Sequence, residues 1–294
     1  MIDALEPGYG GTGDGTVDAL PASQADLKEI VDHLMARRGE TTGDVERSAA
    51  HKAQVHQVQV AAGYFRFLRR VHPAITVALH RLSCCALDPP PAAMRIIKSI
   101  RRYIARRKYH GIVFGRSAGA SAGLSASLYA DVKLEEGAPD ELAASADATF
   151  GTYDLCAHAI THNGAAIETC ARRVGVESEG SHHTEGVASV RCSDRVIYFR
   201  NIFTALGVPP EGPTVLLTDS RSNNLVANAA GSSTRSRHYL RMYHRLQQRI
   251  ASREVSVKHV SDRDMPSDVL TKYVDKGKFE RCVAYLTGMR STPS

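Results

Sequence analysis

The sequence contains no CxxC pair, and none of its six cysteines stands at a spacing from histidine that a structural zinc site requires. Cys84, Cys85, Cys156, Cys170, Cys192 and Cys282 are therefore read as reduced thiols, most of them in the core. No apolar run approaches the roughly 18 residues of a membrane-spanning helix. Nor does the N-terminus carry a basic segment leading into an apolar one. These absences predict a cytoplasmic or nuclear protein with no membrane partner. Residues 1 to 22 contain Asp3, Glu6, Asp14 and Asp18 but no lysine or arginine, with GYGGTGDG in their midst. Without apolar content or periodicity they are expected to form a mobile, disordered tail.

What is present is a chain of 294 residues, 43% hydrophobic, long enough for one large domain or two ordinary ones. Its formal net charge of +6 favours an anionic partner, nucleic acid first. From Asp26 onward the pattern is helical. In AAMRIIKSIRRYIARRKYHG, Met94, Ile97, Ile100 and Ile104 share one face, and Arg95, Lys98, Arg101, Arg102, Arg106, Arg107 and Lys108 make the rest strongly basic. The small-residue stretch GRSAGASAGLSAS, 115 to 127, marks a boundary or long connection.

Beyond it the pattern changes. LAASADATFG and DLCAHAITHNGAAIETCARR read as three successive strands, the second and third joined by an Asn163-Gly164 hairpin turn. A helix is predicted from Thr184 to Leu206, burying Phe199, Ile202, Phe203 and Leu206. The β-branched run ending at Asp219 is a buried strand opening a βα unit. A helix over Thr234–Ser252 follows, with Tyr239, Tyr243, Leu246 and Ile250 as its apolar stripe and Arg237, Arg241, Arg245, Arg249 and Arg253 on another face. EVSVKHV is a short strand, and MPSDVLTKYV opens a last helix. The order β-β-β-α-β-α-α-β-α describes a mixed sheet with helices on its faces.

On such a layout four carboxylates can converge at one end of the central strands. Asp147 lies on the first strand, Glu185 in the first turn of the long helix, Asp219 at the tip of the fourth strand and Asp268 in the first turn of the last helix. Mutual repulsion forbids four ionised carboxylates in one small site unless a counter-charge is present. All-oxygen ligands select hard cations, Mg²⁺ or Mn²⁺, and two such ions bridged by acids form a phosphodiesterase arrangement.

The segments SADATFG, HHTEGVA, LLTDSRSN and SRHYLRMYHRLQQRI followed by SDVLTK resemble, in that order, the ribonuclease H domain of copia-type LTR retrotransposon polyproteins. Upstream, HPAITVALHRLSCCALDPPPAAMRIIKSIRRYIARRKYHGIVFG resembles the segment joining reverse transcriptase to that domain, and the whole resemblance covers about residues 50 to 288. It implies an α/β, ribonuclease H-like five-stranded sheet over 142–290, a mainly helical connection-like segment over 23–115, and a linker over 116–141. It also implies that Asp147, Glu185, Asp219 and Asp268 are the four metal-binding acids, holding two Mg²⁺ or Mn²⁺ ions. The implied activity is endonucleolytic cleavage of the RNA strand of RNA–DNA hybrids. One ion, on Asp147, Asp219 and Asp268, would activate the attacking water. The other, near Asp147, Glu185 and Asp219, would stabilise the departing 3′ oxygen. Strand choice would rest on 2′-hydroxyl contacts, and phosphates would meet Lys98, Arg101, Arg102, Arg106, Arg107, Arg237, Arg241 and Arg245.

The chain departs from the family pattern in several places. His182 and His183 replace small residues, Val187 replaces a glutamate, Ser220-Arg221 replaces Asn-Gln, and VKLEEGAPDE is extra, which makes Asp131 a rival for the first acid. His238 and His244 match family positions on a structural helix and receive no chemical role. No Tyr-x-Asp-Asp polymerase motif occurs in the chain, so any polymerase would be a separate part. The alternatives to a nuclease of this kind are an inactive retrotransposon remnant that binds nucleic acid or a partner, and an integrase-like or resolvase-like nuclease, against which the fourth acid argues.

Overall fold

The computed structural model describes residues 20–37, 48–107, 111–112, 114, 142–150, 155–174, 180–228 and 240–288. Expected features at 1–19 and 115–141 and the rival Asp131 lie outside them. The chain divides into two compact units, Met1–Leu68 with Ala78–His110, and Arg69–Val77 with Gly111–Ser294.

The described part of the first unit is helical. It contains α1 (Gln24–Ala36) and α2 (Ala49–Leu68); α3 (Thr76–Cys84) falls mostly within it, and α4 (Pro91–Arg106) closes it. Ser23 caps α1 by accepting a hydrogen bond from the Asp26 backbone N–H. α4 starts with Pro91, whose missing N–H costs nothing at a first helical position. It packs on α1 and α2. Its buried face is Ala92, Ala93, Ile96, Ile97, Ile100, Tyr103 and Ile104. Met94, expected on that face, is only half-buried, because the stripe centres on the Ile96–Ile100–Tyr103 row.

The second unit holds a five-stranded mixed sheet: β1 (Ala143–Ala148), β2 (Leu155–His162), β3 (Ala165–Arg173), β4 (Thr214–Thr218) and β5 (Val255–His259), in the spatial order β3-β2-β1-β4-β5. β1, β2 and β3 are antiparallel neighbours, whereas β4 runs parallel to both β1 and β5. The hairpin between β2 and β3 turns on Asn163 and Gly164, with φ of 50° and 79°. That pair of positive angles is why asparagine and glycine serve there.

The helices of this unit are α5 (Ser181–Ala205), α6 (Arg221–Asn228), α7 (Leu240–Ala251), α8 (Asp268–Thr271) and α9 (Lys276–Thr287). Strand alternation sorts them onto two faces. Leu142, Ala144, Ala146 and Ala148 join Val187, Ala188, Cys192 and Val196 of α5 and Tyr243 and Leu246 of α7 in one buried cluster. The intervening residues point to the other face, where Ser145 bonds Ser267 at 2.6 Å and Thr161 meets Tyr285 of α9 at 3.5 Å. The fold is therefore the expected α/β sheet covered on both faces.

Three expectations need correction. α5 begins at Ser181, three residues earlier than its pattern suggests, so Glu185 stands in its second turn. Its deepest face is the N-terminal half; Phe199, Ile202 and Phe203 are half-buried and Leu206 is 70% exposed, since the helix runs out past the sheet. The last helix is two. α8 stops at Lys272, whose φ of −137° and ψ of 162° are extended, and Asp275 starts α9 by accepting from the Lys278 N–H. In the Thr234–Ser252 helix, residues 229–239, including Tyr239, lie outside the described region, and the visible helix spans Leu240–Ala251.

Candidate metal centre

Parallel pairing of β1 with β4 aligns Ala143 with Val215 and Ser145 with Leu217. Two residues further along, that register brings Asp147 level with Asp219, just past the end of β4. Glu185 descends from α5, and the next strand over, β5, leads through Val260, whose N–H bonds the Thr218 carbonyl at 2.9 Å, into a 3-10 turn over Asp262–Asp264. α8 is fixed to the sheet from below by the Ser267–Ser145 bond and by Thr271, whose hydroxyl donates to Asp147 Oδ2. Five acids thus reach one edge of the sheet.

One oxygen from each of Asp147, Glu185 and Asp219 lies within 4.8 Å of the other two. A second group, Asp219, Asp262 and Asp268, meets the same criterion and shares Asp219. Asp147 is 1% exposed and Asp268 has no exposure at all. This is unlike a solvated acidic patch. Asp147 Oδ1, Glu185 Oε2 and Asp268 Oδ1 are buried and lack hydrogen-bond partners, an arrangement that costs free energy when nothing answers them.

The electrostatics follow from this crowding. Burial, then the charge of Asp268, pushes the Asp147 carboxyl well above the ordinary carboxylate range, while Lys272 pulls the other way. Glu185 rises to about 9, first through burial and then through Asp147 and Asp219. Asp219 is raised for the same kind of reason, burial first and Asp268 next. Burial opposes the charge on Lys272, but the carboxylates of Asp147 and Asp268 outweigh it and hold the ammonium protonated. Lys272 Nζ lies 3.0 Å from Asp268 Oδ2, and buried Lys278 donates to the same oxygen. Lys278 also contacts Asp262 Oδ2 at 3.1 Å.

All four sequence-predicted acids are therefore gathered here, and Asp262, Lys272 and Lys278 are additions. The i,i+4 spacing of Asp268 and Lys272 was a readable signal, whereas Lys278 sits on a separate helix. His182 is half-buried, stacked on Tyr243 at 5.8 Å and within 3.1 Å of Ser222 Oγ. The start of α5 at Ser181 brings it into the first helical turn.

Of the expected phosphate contacts, Lys98, Arg101, Arg102 and Arg106 form an exposed face of α4, and Arg107 lies over the Tyr103 ring at 4.9 Å. Arg95 is committed to Asp26 and Glu29. On α7, Arg245 bonds both carboxylate oxygens of Asp194 at 3.0 and 3.1 Å, and Arg249 joins it at 2.7 Å. Arg237 lies outside the described residues, as does the side chain of Arg241. All six cysteines are reduced thiols, four of them buried. No described helix is long and apolar enough to cross a membrane.

No protein-family model matches the chain. Among curated proteins it is 24% identical over 233 residues to the retrovirus-related Pol polyprotein from transposon RE1 of Arabidopsis thaliana, and 23% identical over 233 residues to that from transposon RE2 of the same plant. Each match covers 79% of this chain and 15% of the relative, so the chain spans a small part of the polyproteins it resembles. The relationship expected from the sequence motifs is borne out: over most of its length the chain is similar to one stretch of copia-type retrotransposon Pol polyproteins.

Proposed function

We propose that the second unit is a divalent-cation-dependent nuclease that hydrolyses the RNA strand of RNA–DNA hybrids. The observation that carries this reading is the Asp147–Glu185–Asp219 cluster, with its buried, unpartnered oxygens at the edge of a five-stranded mixed sheet. The relatives, named as Pol polyproteins of transposons, supply the chemical context.

The donor set fits hard cations. It is all carboxylate, with neither sulfur nor imidazole, and its orphaned oxygens are of the kind Mg²⁺ or Mn²⁺ would satisfy. Asp147, Glu185 and Asp219 would hold one ion, and Asp219 with Asp268 and Asp147 would hold the other. When bound, such ions acidify water and offset charge on a phosphodiester in transit.

The remaining work belongs to the chain. The backbone register of β1 and β4 sets the Asp147–Asp219 spacing before any ligand arrives, and Thr271 fixes the rotation of the Asp147 carboxylate. Burial, complete at Asp147 and partial at Glu185, limits the access of bulk water to both. The basic face of α4 offers phosphate contacts that position without reading sequence.

A second reading, a protein that binds nucleic acid without cutting it, draws on one observation. Asp268 already has two lysines on Oδ2, so part of the acid charge is offset without metal. Single-turnover cleavage of an RNA-labelled hybrid in Mg²⁺ separates the two. The nuclease reading expects cutting by the native protein and none by Asp219→Asn, with hybrid binding kept in both, because an amide of similar size is a poor ligand for a hard cation. Binding with no cutting by the native protein, and no stabilisation by Mg²⁺ or Mn²⁺, leaves the second reading in place.

A further inference from the structure

Lys272 and Lys278 share one carboxylate oxygen of Asp268, and both also reach Asp262, Lys272 at 3.4 Å and Lys278 at 3.1 Å. The four side chains form a closed ring of alternating charge. Its members differ in their freedom to move. Asp268 is fully enclosed, the Lys278 side chain is 8% exposed, that of Lys272 is 36% exposed, and that of Asp262 is 72% exposed. Lys278 is thus a fixed post, and Lys272 is the ring's cation with room to move.

Both lysines use Asp268 Oδ2 and leave Oδ1 buried and unpartnered. The Lys272 ammonium also acts electrostatically on Asp147, Asp219 and Glu185. It therefore places a single positive charge where a divalent ion would place two. Asp262, on the solvent side and already within 3.4 Å, is the carboxylate that can retain the ammonium when it withdraws from Asp268.

We propose that Lys272 is a built-in counter-cation that occupies the acid cluster in competition with divalent metal, and that Asp262 is the outer station to which its ammonium shifts when metal enters. The inference rests on the metal-site reading above and assigns Lys272 a role in metal affinity. Losing one ammonium among five carboxylates should strengthen divalent-ion binding and weaken the metal-free protein, since both follow from the same unshielded repulsion. Lys278, clamped between Asp262 and Asp268, orients the carboxylate and does not compete.

The test uses the full chain and two readouts that need no substrate: Mn²⁺ binding by calorimetry, and thermal melting in EDTA and in Mg²⁺. Lys272→Gln is expected to bind Mn²⁺ about tenfold more tightly, to melt lower than the native protein in EDTA, and to gain more from Mg²⁺. Lys272→Arg keeps the charge and should follow the native protein in all three. Asp262→Asn should tighten the hold of Lys272 on Asp268 and weaken Mn²⁺ binding severalfold. Equal Mn²⁺ affinity and equal Mg²⁺ gain in native protein and Lys272→Gln overturns the role of Lys272 while the metal site stands. Absence of any ion binding in every protein overturns both the site and this inference with it.

Discussion

Replacing Glu185 by glutamine should stabilise the metal-free protein and remove most of its response to Mg²⁺. Glu185 is raised to about 9 from an ordinary 4.5, by burial and by the charges of Asp147 and Asp219. For an acid, a folded-state pKa above the unfolded one means that folding is favoured when the group is protonated. The unfolded chain releases this proton near pH 4.5, whereas the folded chain holds it until about pH 9, so stability falls throughout that interval as pH rises. At pH 7 the gap is about two and a half pH units at about 1.4 kcal/mol each, a burden of roughly 3 to 4 kcal/mol. Glutamine removes it. In a domain of this size that is a rise in Tm of roughly 5 °C or more, less whatever the new amide N–H₂ loses by finding no acceptor. Differential scanning calorimetry in EDTA at pH 5, 7 and 8.5 reads the effect directly. The native protein should melt progressively lower across that series, Glu185→Gln should flatten the trend, and added Mg²⁺ should lift the native protein well above its EDTA value but the variant little. A variant that melts at or below the native protein at pH 7 in EDTA would refute the view that burial and neighbouring acids make the Glu185 charge costly in the folded protein.

Replacing Arg101, Arg102, Arg106 and Arg107 by glutamine should weaken hybrid binding and reduce the slope of log affinity against log salt by about one unit for each phosphate no longer neutralised; an unchanged slope returns that face to plain solvation. Glu168 provides the opposite pH behaviour to Glu185. Burial works to raise it, but bonds from His158 and Arg195 outweigh burial and hold it at about 2. Its stabilisation is therefore complete above about pH 4.5 and fades as pH falls toward 2. Glu168→Gln should cost about 1 to 2 kcal/mol at neutral pH, after allowance for solvent screening of a partly exposed group, and nothing near pH 2, as urea titrations at the two pH values would show.

Much of this fold was legible because its strongest signals are local. Asn163-Gly164 demands positive φ and so declares a hairpin, and the run Thr214–Thr218 ending at Asp219 declares a strand tip. β1 is harder. Its Ala-Ala-Ser-Ala-Asp-Ala has little strand propensity, and its position comes from pairing with β2 and β4 rather than from its own composition. The four acids could be named because each sits at a strand end or near a helix start. Asp262 and Lys278 could not, since nothing in sequence spacing says that a 3-10 turn after β5 and the first turn of a separate helix will face the same carboxylate. The start of α5 at Ser181 was hidden as well, because Gly180 precedes it with no side-chain cap to announce the boundary.

On the strand side the seam between β1 and α5 is made of small side chains, Ala144, Ala146 and Ala148, in one buried cluster with Val187, Ala188, Cys192 and Val196 of the helix. The strand contributes no side-chain rotamers to this contact, so little on its side can adjust. The distance from Glu185 to Asp147 is then a matter of scaffold thickness, and the gauge that sets it is written in residues with no chemistry of their own. A single added methylene at Ala146 or Ala188 would act as a shim, tilting α5 away from the sheet and widening the mouth between the two carboxylates while every acid remained in place. In this chain the spacing of the two carboxylates is calibrated by alanines.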